Sequence, residues 1–412
     1  MGKLTERVPH RWSAQTDQKV FSIQWPGKIV FGAGELRRLG DEARILGHRA
    51  LLVTTPELSA LGLADQTQKI LETAGVSSVR FDRVKPDPTC DAVDEASLIA
   101  REASCDIVIG LGGGSAIDLA KGVAVGASQQ GPIWEYVTYT GANAKPVRPS
   151  VLPVIAVPTT AGTGSEVSNG AVLHNESLHM KAALLSPHVF PRVALVDPAL
   201  SLTMPPLTTA MTGFDALTHG VESYLNAVRS NPASDMMALE TVRKIARYLP
   251  LVITNGQDLV ARGHVSWGAT LGGMSIALSN ASVAHAMALP LSARLGTAHG
   301  LALSRLQPVV VEHSIEAQPE RCAELADAAG VAVAGMNTTE KAHAFSSWLR
   351  EFVDRIGLSK ARAPEVTDEG LYDSLAEDVL RYMGRPVQQH RPVFTRMEIR
   401  QMFTEALAPA KR

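Results

Sequence analysis

The hydrophobic periodicity of the chain changes near residue 205. Before that point, short apolar runs such as RALLVTT (49–55) and CDIVIG (105–110) alternate with segments of helical spacing. Such runs are typical of buried strands, and their alternation with helices predicts right-handed crossovers and a parallel sheet covered on both faces. After that point, long helical segments follow one another, for example SDMMALETVRKIARYL (234–249) and ALSNASVAHAMAL (277–289). The sequence therefore predicts an α/β fold followed by an all-α fold.

The length of the chain agrees with two domains. At 412 residues it exceeds the size at which a single hydrophobic core usually keeps growing. The proline-rich turn DPALSLTMPP (197–206) separates the two patterns, so we assign residues 1–204 to an α/β domain and residues 205–412 to an all-helical domain. The cleft between two such domains is the default position of a ligand site.

Charge and cysteine content exclude several functional classes. The net charge of −2, without a basic stripe, gives no electrostatic support to a nucleic-acid or anionic-membrane partner. We find no segment resembling a transmembrane span, and the N-terminal MGKLTERVPHRW lacks the apolar core of a signal peptide. Cys90, Cys105 and Cys322 lie far apart, which favours a reducing compartment. These features predict a soluble cytoplasmic protein.

A glycine-rich loop, GLGGGSAID (110–118), lies between a predicted strand and a predicted helix. Glycines let the backbone approach a diphosphate, and a helix N-terminus presents free N–H groups to it. The loop is not the strict G-x-G-x-x-G motif, because Ser115 stands where the last glycine would be. A tight turn without a ligand is the alternative, but three successive glycines exceed what a turn needs and favour phosphate binding.

A second polar loop, PTTAGTGSEVS (158–168), also follows a predicted strand. Its small residues and hydroxyls suit a surface that touches ribose or phosphate, although the same composition occurs in plain turns. Two such loops at the carboxyl ends of strands in one domain predict a dinucleotide site.

Four side chains of the predicted helical domain could surround one metal ion. Asp215 and His219, in TGFDALTHGVESY, are four residues apart and share one face of a helix. His285 and His299 flank a predicted helix break at Pro290. One carboxylate and three imidazoles suit Fe²⁺ or Zn²⁺. Because the chain has 12 histidines, spacing alone leaves open whether these side chains are ligands or ordinary core residues.

From about residue 20 to its C-terminus, the chain resembles the iron-dependent alcohol dehydrogenases, the group III family. The matching stretches, in the family's order and close to its spacing, are GGGSAIDLAK, PTTAGTGSEVS, the Lys181 region through VALVDP, GFDALTHGVESY and HAMALPLSARLGTAHG. The resemblance implies a dehydroquinate synthase-like architecture, with residues 1–204 as the dinucleotide-binding domain and residues 205–412 as the metal-binding domain. It also implies an NAD(P)-linked alcohol dehydrogenase or aldehyde reductase that transfers a hydride to or from a small alcohol or aldehyde, with Fe²⁺, or alternatively Zn²⁺, as Lewis acid. A homodimer or higher homo-oligomer is implied as well.

The resemblance also implies roles for individual residues. The implied metal ligands, which would act in catalysis through the metal, are Asp215, His219, His285 and His299. The implied cofactor contacts are Thr55, Gly112, Gly113, Gly114, Ser115, Asp118, Thr159, Thr160, Thr163 and Lys181. Among them, Gly113, Gly114 and Ser115 would hold the pyrophosphate. Asp118, in the first turn after the loop, has the alternative role of a favourable interaction with the helix dipole.

Two positions depart from the family pattern. Many members carry a second histidine four residues after the first in HAMALPLSARLGTAHG, where it is thought to relay a proton to solvent, but here that residue is Leu289. Leucine cannot transfer a proton. Members that prefer NAD often carry aspartate at the end of the first strand, where this chain has Thr55. Threonine neither repels a 2′-phosphate nor pairs with it, so NAD and NADP both remain possible, with NAD favoured.

Three other functions compete with this interpretation. A dehydroquinate-synthase-like lyase keeps nicotinamide and zinc on the same architecture, but its metal set differs. A maleylacetate reductase-like oxidoreductase would carry asparagine at the position of Asp215. A protein that has lost its chemistry is the third alternative: the full ligand set argues against it, whereas Leu289 favours it.

Overall fold

The computed structural model describes residues 21–24, 27–139, 143–362 and 368–407. The strands in this part of the chain all precede residue 205. They are β1 (Lys28–Phe31), β2 (Arg49–Val53), β3 (Ser77–Phe81), β4 (Ile107–Gly112), β5 (Val154–Pro158), β6 (Gly170–Asn175), β7 (Met180–Leu185) and β8 (Val193–Val196). A parallel sheet has the order β1-β8-β5-β4-β2-β3, while β6 and β7 form an antiparallel hairpin that the sequence pattern did not predict.

Helices cover both faces of the parallel sheet. They are α1 (Leu39–Leu46), α2 (Pro56–Ala60), α3 (Leu63–Thr73), α4 (Cys90–Glu102) and α5 (Gly114–Gly126). Leu51 and Val53 of β2 pack in one core with residues of α4 and α5, whereas Leu52 packs in another with residues of α1 and α3. This alternation arises because successive side chains of a strand point to opposite faces. It explains why these strands read as continuous apolar runs.

The second half of the described chain is helical. Its helices are α6 (Pro206–Leu225), α7 (Pro232–Thr254), α8 (Leu259–Ser279), α9 (Val283–Leu295), α10 (His299–Ser314), α11 (Pro319–Ala329), α12 (Thr338–Arg355), α13 (Glu369–Gln388) and α14 (Arg396–Leu407). A single core joins them, and its fully buried members include Phe214, Leu249 and Phe352. The predicted fold class is confirmed. The domain boundary at residues 204 and 205 stays a prediction; it lies between β8 and α6.

Two details of the helical half differ from the prediction. The segment 277–289 is not one helix, because α8 ends at Ser279 and the left-handed φ of 70° at Asn280 turns the chain by 103° into α9. Conversely, Pro290 does not break α9, which continues to Leu295. The missing N–H of Pro290 costs one helical hydrogen bond. Burial of the adjacent Leu291 favours continuation of the helix.

Among the described helices, no single one has the length and hydropathy of a membrane span. The bent pair α8 and α9 reaches that threshold only when the two helices are taken together, by length and composition alone.

Sheet order places the two predicted nucleotide loops side by side. Gly112 at the end of β4 pairs with Pro158 at the end of β5, so the loops that follow leave the same edge of the sheet. The chain reverses its direction of travel across the sheet between β2 and β4. The crevice outside the carboxyl ends of strands at such a reversal is the usual ligand position in open α/β sheets.

Candidate metal centre and cofactor loops

Three helices bring the four predicted metal ligands together. Asp215 and His219 lie one turn apart on α6, and each is 4% exposed. His285 lies in the first turn of α9, and His299 is the first residue of α10. The turn at Asn280 directs α9 back toward α6, so residues distant in the chain meet at one point.

Three imidazole side chains converge on one carboxylate oxygen, that of Asp215. The Nε2 atoms of His219, His285 and His299 lie 3.4, 3.3 and 3.8 Å from Oδ1 of Asp215. The rings of His219 and His285 stack with centroids 4.7 Å apart. One ligand atom each from Asp215, His285 and His299 lies within 4.8 Å of the other two. This arrangement leaves a position that one ion could share with Asp215, His285 and His299, while the fourth predicted ligand, His219, lies beside the same carboxylate oxygen.

Unpaired buried atoms test whether a metal ion fits this position. Oδ1 of Asp215 and Nε2 of His285 are buried and have no hydrogen-bond partner. Buried polar atoms are nearly always paired, because leaving one unpaired costs about 1–3 kcal/mol. A divalent cation bound between them would satisfy both, and carboxylate oxygen with imidazole nitrogen is a donor set for Fe²⁺ or Zn²⁺. The residues present therefore fit the predicted metal.

The electrostatics of the cluster follow from burial and from the close charges. Burial alone would raise the pKa of Asp215, but the neighbouring histidines, His219 foremost, outweigh it and hold this pKa well below its ordinary range. Burial lowers the pKa of His299 to about 4. For His285 burial acts in the same direction, but Glu222 and Asp215 outweigh it and raise the pKa to about 10. Burial also lowers the pKa of His219, so His285 is the one histidine of the four-residue cluster whose pKa is raised.

The glycine loop and the second polar loop are in contact. A Cβ atom added to Gly114 would lie 2.5 Å from Cγ2 of Thr163, and one added to Gly113 would lie 3.2 Å from Oγ1 of Thr160. The N–H of Thr159 donates to the carbonyl of Gly112 over 2.9 Å. The loops therefore form one surface that bulkier residues would fill.

Thr55 lies at the same edge of the sheet. A Cβ atom on Gly112, whose φ is 149°, would be 3.9 Å from Cγ2 of Thr55. The Thr55 side chain caps α2 by accepting the N–H of Leu58. Ser115 follows in the first turn of α5, where N–H groups have no intrahelical partner. The structure thus groups Thr55 with the predicted diphosphate loop.

Lys181 lies on β7 of the hairpin, where the α/β half faces α9 of the helical half. It is 5% exposed, and its Nζ lies 2.7 Å from Oδ2 of Asp87. Its charge acts on the pKa of His299, and it lines a small cavity together with Pro290 and Tyr382. This position lies between the two halves of the chain.

Asp118 has contacts that the sequence did not predict. Its Oδ1 accepts the hydroxyl of Ser165, and its Oδ2 accepts the N–H of Val172 over 2.9 Å. One oxygen atom therefore binds the second polar loop, and the other binds β6, the strand after it. A contact between Asp118 and the cofactor stays a prediction.

Two further buried charges were missed by the sequence analysis. Lys121, one turn after Asp118, is completely buried and donates to Ser165, Ser168 and the carbonyl of Gly170. Burial lowers the pKa of Lys121 to about 8. Glu222 contacts His285. The available signal was weak: a lysine within the apolar run LAKGVAVGA, and a glutamate one turn after His219 on α6.

Leu289 lies on α9 one turn after His285 and is 8% exposed. An apolar side chain therefore occupies the place where the family pattern often has a second histidine. It cannot carry a proton away from the cluster along this face of α9.

Two family models match the chain. Residues 26–198 match the iron-containing alcohol dehydrogenase model, and residues 209–407 match the C-terminal model of the Fe-containing alcohol dehydrogenase family. Together the two matches cover most of the chain.

Curated relatives and solved structures agree with these matches. Long-chain-alcohol dehydrogenase 1 of Geobacillus thermodenitrificans is 34% identical, over 94% of this chain and 97% of that protein. NAD-dependent methanol dehydrogenase of Bacillus methanolicus is 30% identical, over 93% and 98%. The crystal structure of an archaeal halo-thermophilic alcohol dehydrogenase from a Red Sea brine pool has a TM-score of 0.89 and 31% identity, and the match covers 94% of this chain and 99% of that one.

Proposed function

Because the chain belongs to the iron-containing alcohol dehydrogenase family, we propose that Asp215 and the three histidines facing it hold the metal ion of this enzyme. The protein is an NAD(P)-dependent alcohol dehydrogenase that acts on CH–OH groups of small alcohols and on the corresponding aldehydes. The observation that carries the ligand assignment is the convergence of three imidazole nitrogens within 3.8 Å of one carboxylate oxygen. The matches to the two alcohol dehydrogenase family models favour a dehydrogenase over the dehydroquinate-synthase-like lyase.

The chemistry is divided between bound groups and side chains. When bound, a divalent ion supplies a Lewis acid toward the substrate oxygen, and a nicotinamide supplies or takes up the hydride. The pKa of Asp215 is held below its ordinary range, so this side chain stays negatively charged and can attract a cation. The helical half orients the ligands, and the α/β half orients the cofactor. Holding two reactants in a fixed geometry supplies a large share of catalysis.

The cofactor surface combines the two contacting loops with the carboxyl end of β2. The residues proposed to line it are Thr55, Gly112, Gly113, Gly114, Ser115, Thr159, Thr160 and Thr163. Its support is the close approach of the loops and the start of α5, whose free N–H groups suit a diphosphate. Lys181 is proposed to contact the cofactor near the metal centre. NAD is favoured over NADP, in keeping with the relative named for NAD.

The substrate's proton is proposed to leave by a route other than α9. Leu289 occupies the place of the second histidine, so the remaining carriers are water, the ribose of the cofactor or another polar group near the cleft.

A homodimer or higher homo-oligomer and a cytoplasmic location complete the proposal. β1 is an edge strand of the parallel sheet, with Phe31 39% exposed, and such edges can pair with another chain. The three cysteines are free and buried, as suits a reducing compartment. Light scattering coupled to gel filtration would test the assembly.

Replacing Asp215 tests the ligand assignment. In Asp215→Ala we expect bound metal and dehydrogenase activity to disappear together, because the oxygen shared by the three imidazoles is removed. Metal content and NADH oxidation with an aldehyde would be measured, with Asp41→Ala on the exposed face of α1 as control. Full activity of Asp215→Ala without bound metal would refute the assignment.

A further inference from the structure

Glu222 lies directly behind one of the proposed metal ligands. It is on α6, is 1% exposed, and its Oε2 is 2.6 Å from Nδ1 of His285. The other ring nitrogen of His285, Nε2, points to Oδ1 of Asp215 at 3.3 Å. The imidazole is therefore held between two carboxylates of the same helix.

Glu222 also binds the start of the helix that carries His285. Its Oε2 accepts the N–H of Ser282 over 2.9 Å, and its Oε1 accepts the N–H groups of Ala284 and, at 3.4 Å, of His285. N–H groups in the first turn of a helix have no intrahelical partner and favour a negative charge. One carboxylate thus fixes both the backbone and the ring of His285.

The groups that Glu222 contacts fix the state of the His285 ring. Three are backbone N–H groups, which cannot accept a hydrogen bond. A carboxylate accepts at both oxygens. The ring must then present Nδ1–H to Glu222, which leaves Nε2 as the nitrogen available to a metal.

We propose that Glu222 is a positioning residue of the metal centre: it accepts Nδ1–H of His285 and so orients the ring and selects the tautomer in which Nε2 faces the ion. This inference rests on the proposed metal site. Carboxylates behind metal-bound histidines act in this way in other proteins, and their removal typically weakens metal binding by about 10–100-fold.

The substitution Glu222→Gln separates this role from simple packing. An amide has nearly the same shape, but it must turn its NH₂ group toward donors in either orientation. If the NH₂ group takes the place of Oε2, it faces Nδ1 of His285 and favours the tautomer in which Nδ1 is unprotonated and Nε2 carries the proton. In that tautomer Nε2 has no free lone pair, so it cannot bind the metal ion.

The test is the affinity of the purified full chain for Zn²⁺, measured by competition with a chromophoric chelator, and for Fe²⁺ under anaerobic conditions. We expect Glu222→Gln to bind either ion about 10–100-fold more weakly than the wild type. The rise in Tm caused by each ion should shrink as well, because stabilisation by a ligand depends on its affinity. A purely structural role would lower the Tm with and without metal by the same amount. Glu324→Gln is the control, because it makes the same chemical change at a carboxylate that contacts the Tyr224 hydroxyl and none of the proposed metal ligands.

Glu222→Asp provides a second variant that keeps the charge at the start of α9. Its shorter side chain withdraws from Nδ1 of His285, so we expect metal affinity between those of the wild type and Glu222→Gln. Wild-type affinity in both variants would overturn the inference while leaving the metal site intact. Failure of the wild type itself to bind either ion would instead refute the proposed site.

Discussion

Gly114 shows at the scale of one residue how little room lies between the two cofactor loops. An added methyl group would meet Thr163 at 2.5 Å, a distance that real Cβ atoms essentially never show. We expect Gly114→Ala to weaken NADH binding by about tenfold or more, because overpacking costs typically about 1–3 kcal/mol and moves the second loop. Fluorescence titration with NADH would measure this. Metal content should not change.

Gly263→Ala is the matched control for this prediction, since a Cβ there comes no closer than 4.0 Å to Pro198. Equal NADH affinity in Gly114→Ala and the wild type would show that the cofactor does not use this loop.

Thr55 is the residue at which the choice between NAD and NADP can be tested. It caps α2, and aspartate is an equally good cap, so Thr55→Asp should fold normally. Its new charge would repel a 2′-phosphate, and we expect kcat/KM with NADPH to fall about tenfold relative to NADH. Steady-state kinetics with both cofactors, alongside Thr55→Ser, would measure the ratio. An unchanged ratio would place the adenosine ribose elsewhere.

At the scale of elements, Lys121 joins α5 to the second polar loop. Its ammonium group donates to Ser165, Ser168 and Gly170, and lies 3.9 Å from Oδ1 of Asp118. We expect Lys121→Met to lower the free energy of unfolding by about 3–5 kcal/mol, since removing one partner leaves a buried carboxylate uncompensated. Urea unfolding would measure this change in free energy, with Lys69→Met, at an exposed position of α3, as the control. Near wild-type stability would contradict this role.

His390 joins the start of α9 to the C-terminal region. Its ring nitrogens lie 3.0 Å from the hydroxyl of Ser282 and 2.8 Å from that of Ser314. Burial lowers the pKa of His390 to about 4 from an ordinary 6.5. The unfolded chain therefore binds more protons between these values, and the contribution of His390 to stability is lost as the pH falls through them.

This linkage predicts a specific pH dependence. From pH of about 7 to about 5, the wild type should lose about 2 kcal/mol more stability than His390→Gln, which has no group to protonate there. Urea unfolding at both pH values would measure the difference. Equal losses in the two proteins would show that the His390 imidazole has the same pKa in the folded and unfolded chains.

The contrast between local and distant pairings explains what the sequence could predict. Asp215 and His219 were paired by helical spacing, and the glycine loop by its place between strand and helix. Glu222 and Lys121 could not be assigned, because their partners lie on other elements and depend on the turn at Asn280 and on the packing of the second loop. The expected break at Pro290 was wrong for a related reason: tertiary burial outweighed a local preference.

At the scale of the whole molecule, we propose that the α/β half binds the cofactor and the helical half binds the metal ion. The change of periodicity near residue 205 predicted this architecture, and the sheet order explains why both nucleotide loops lie at one edge. Lys181 lies on the hairpin, at the boundary between the two halves, where the cofactor and the metal are proposed to meet.

The most direct test is oxidation of NADH and NADPH with short-chain aldehydes by metal-stripped protein, before and after addition of Fe²⁺ or Zn²⁺. We expect no turnover without metal and restored turnover with it, in the wild type and not in Asp215→Ala, because the ion must be held by this cluster to act on the substrate oxygen. Turnover that is independent of metal, or a wild type that oxidises neither cofactor with either ion, would contradict the account.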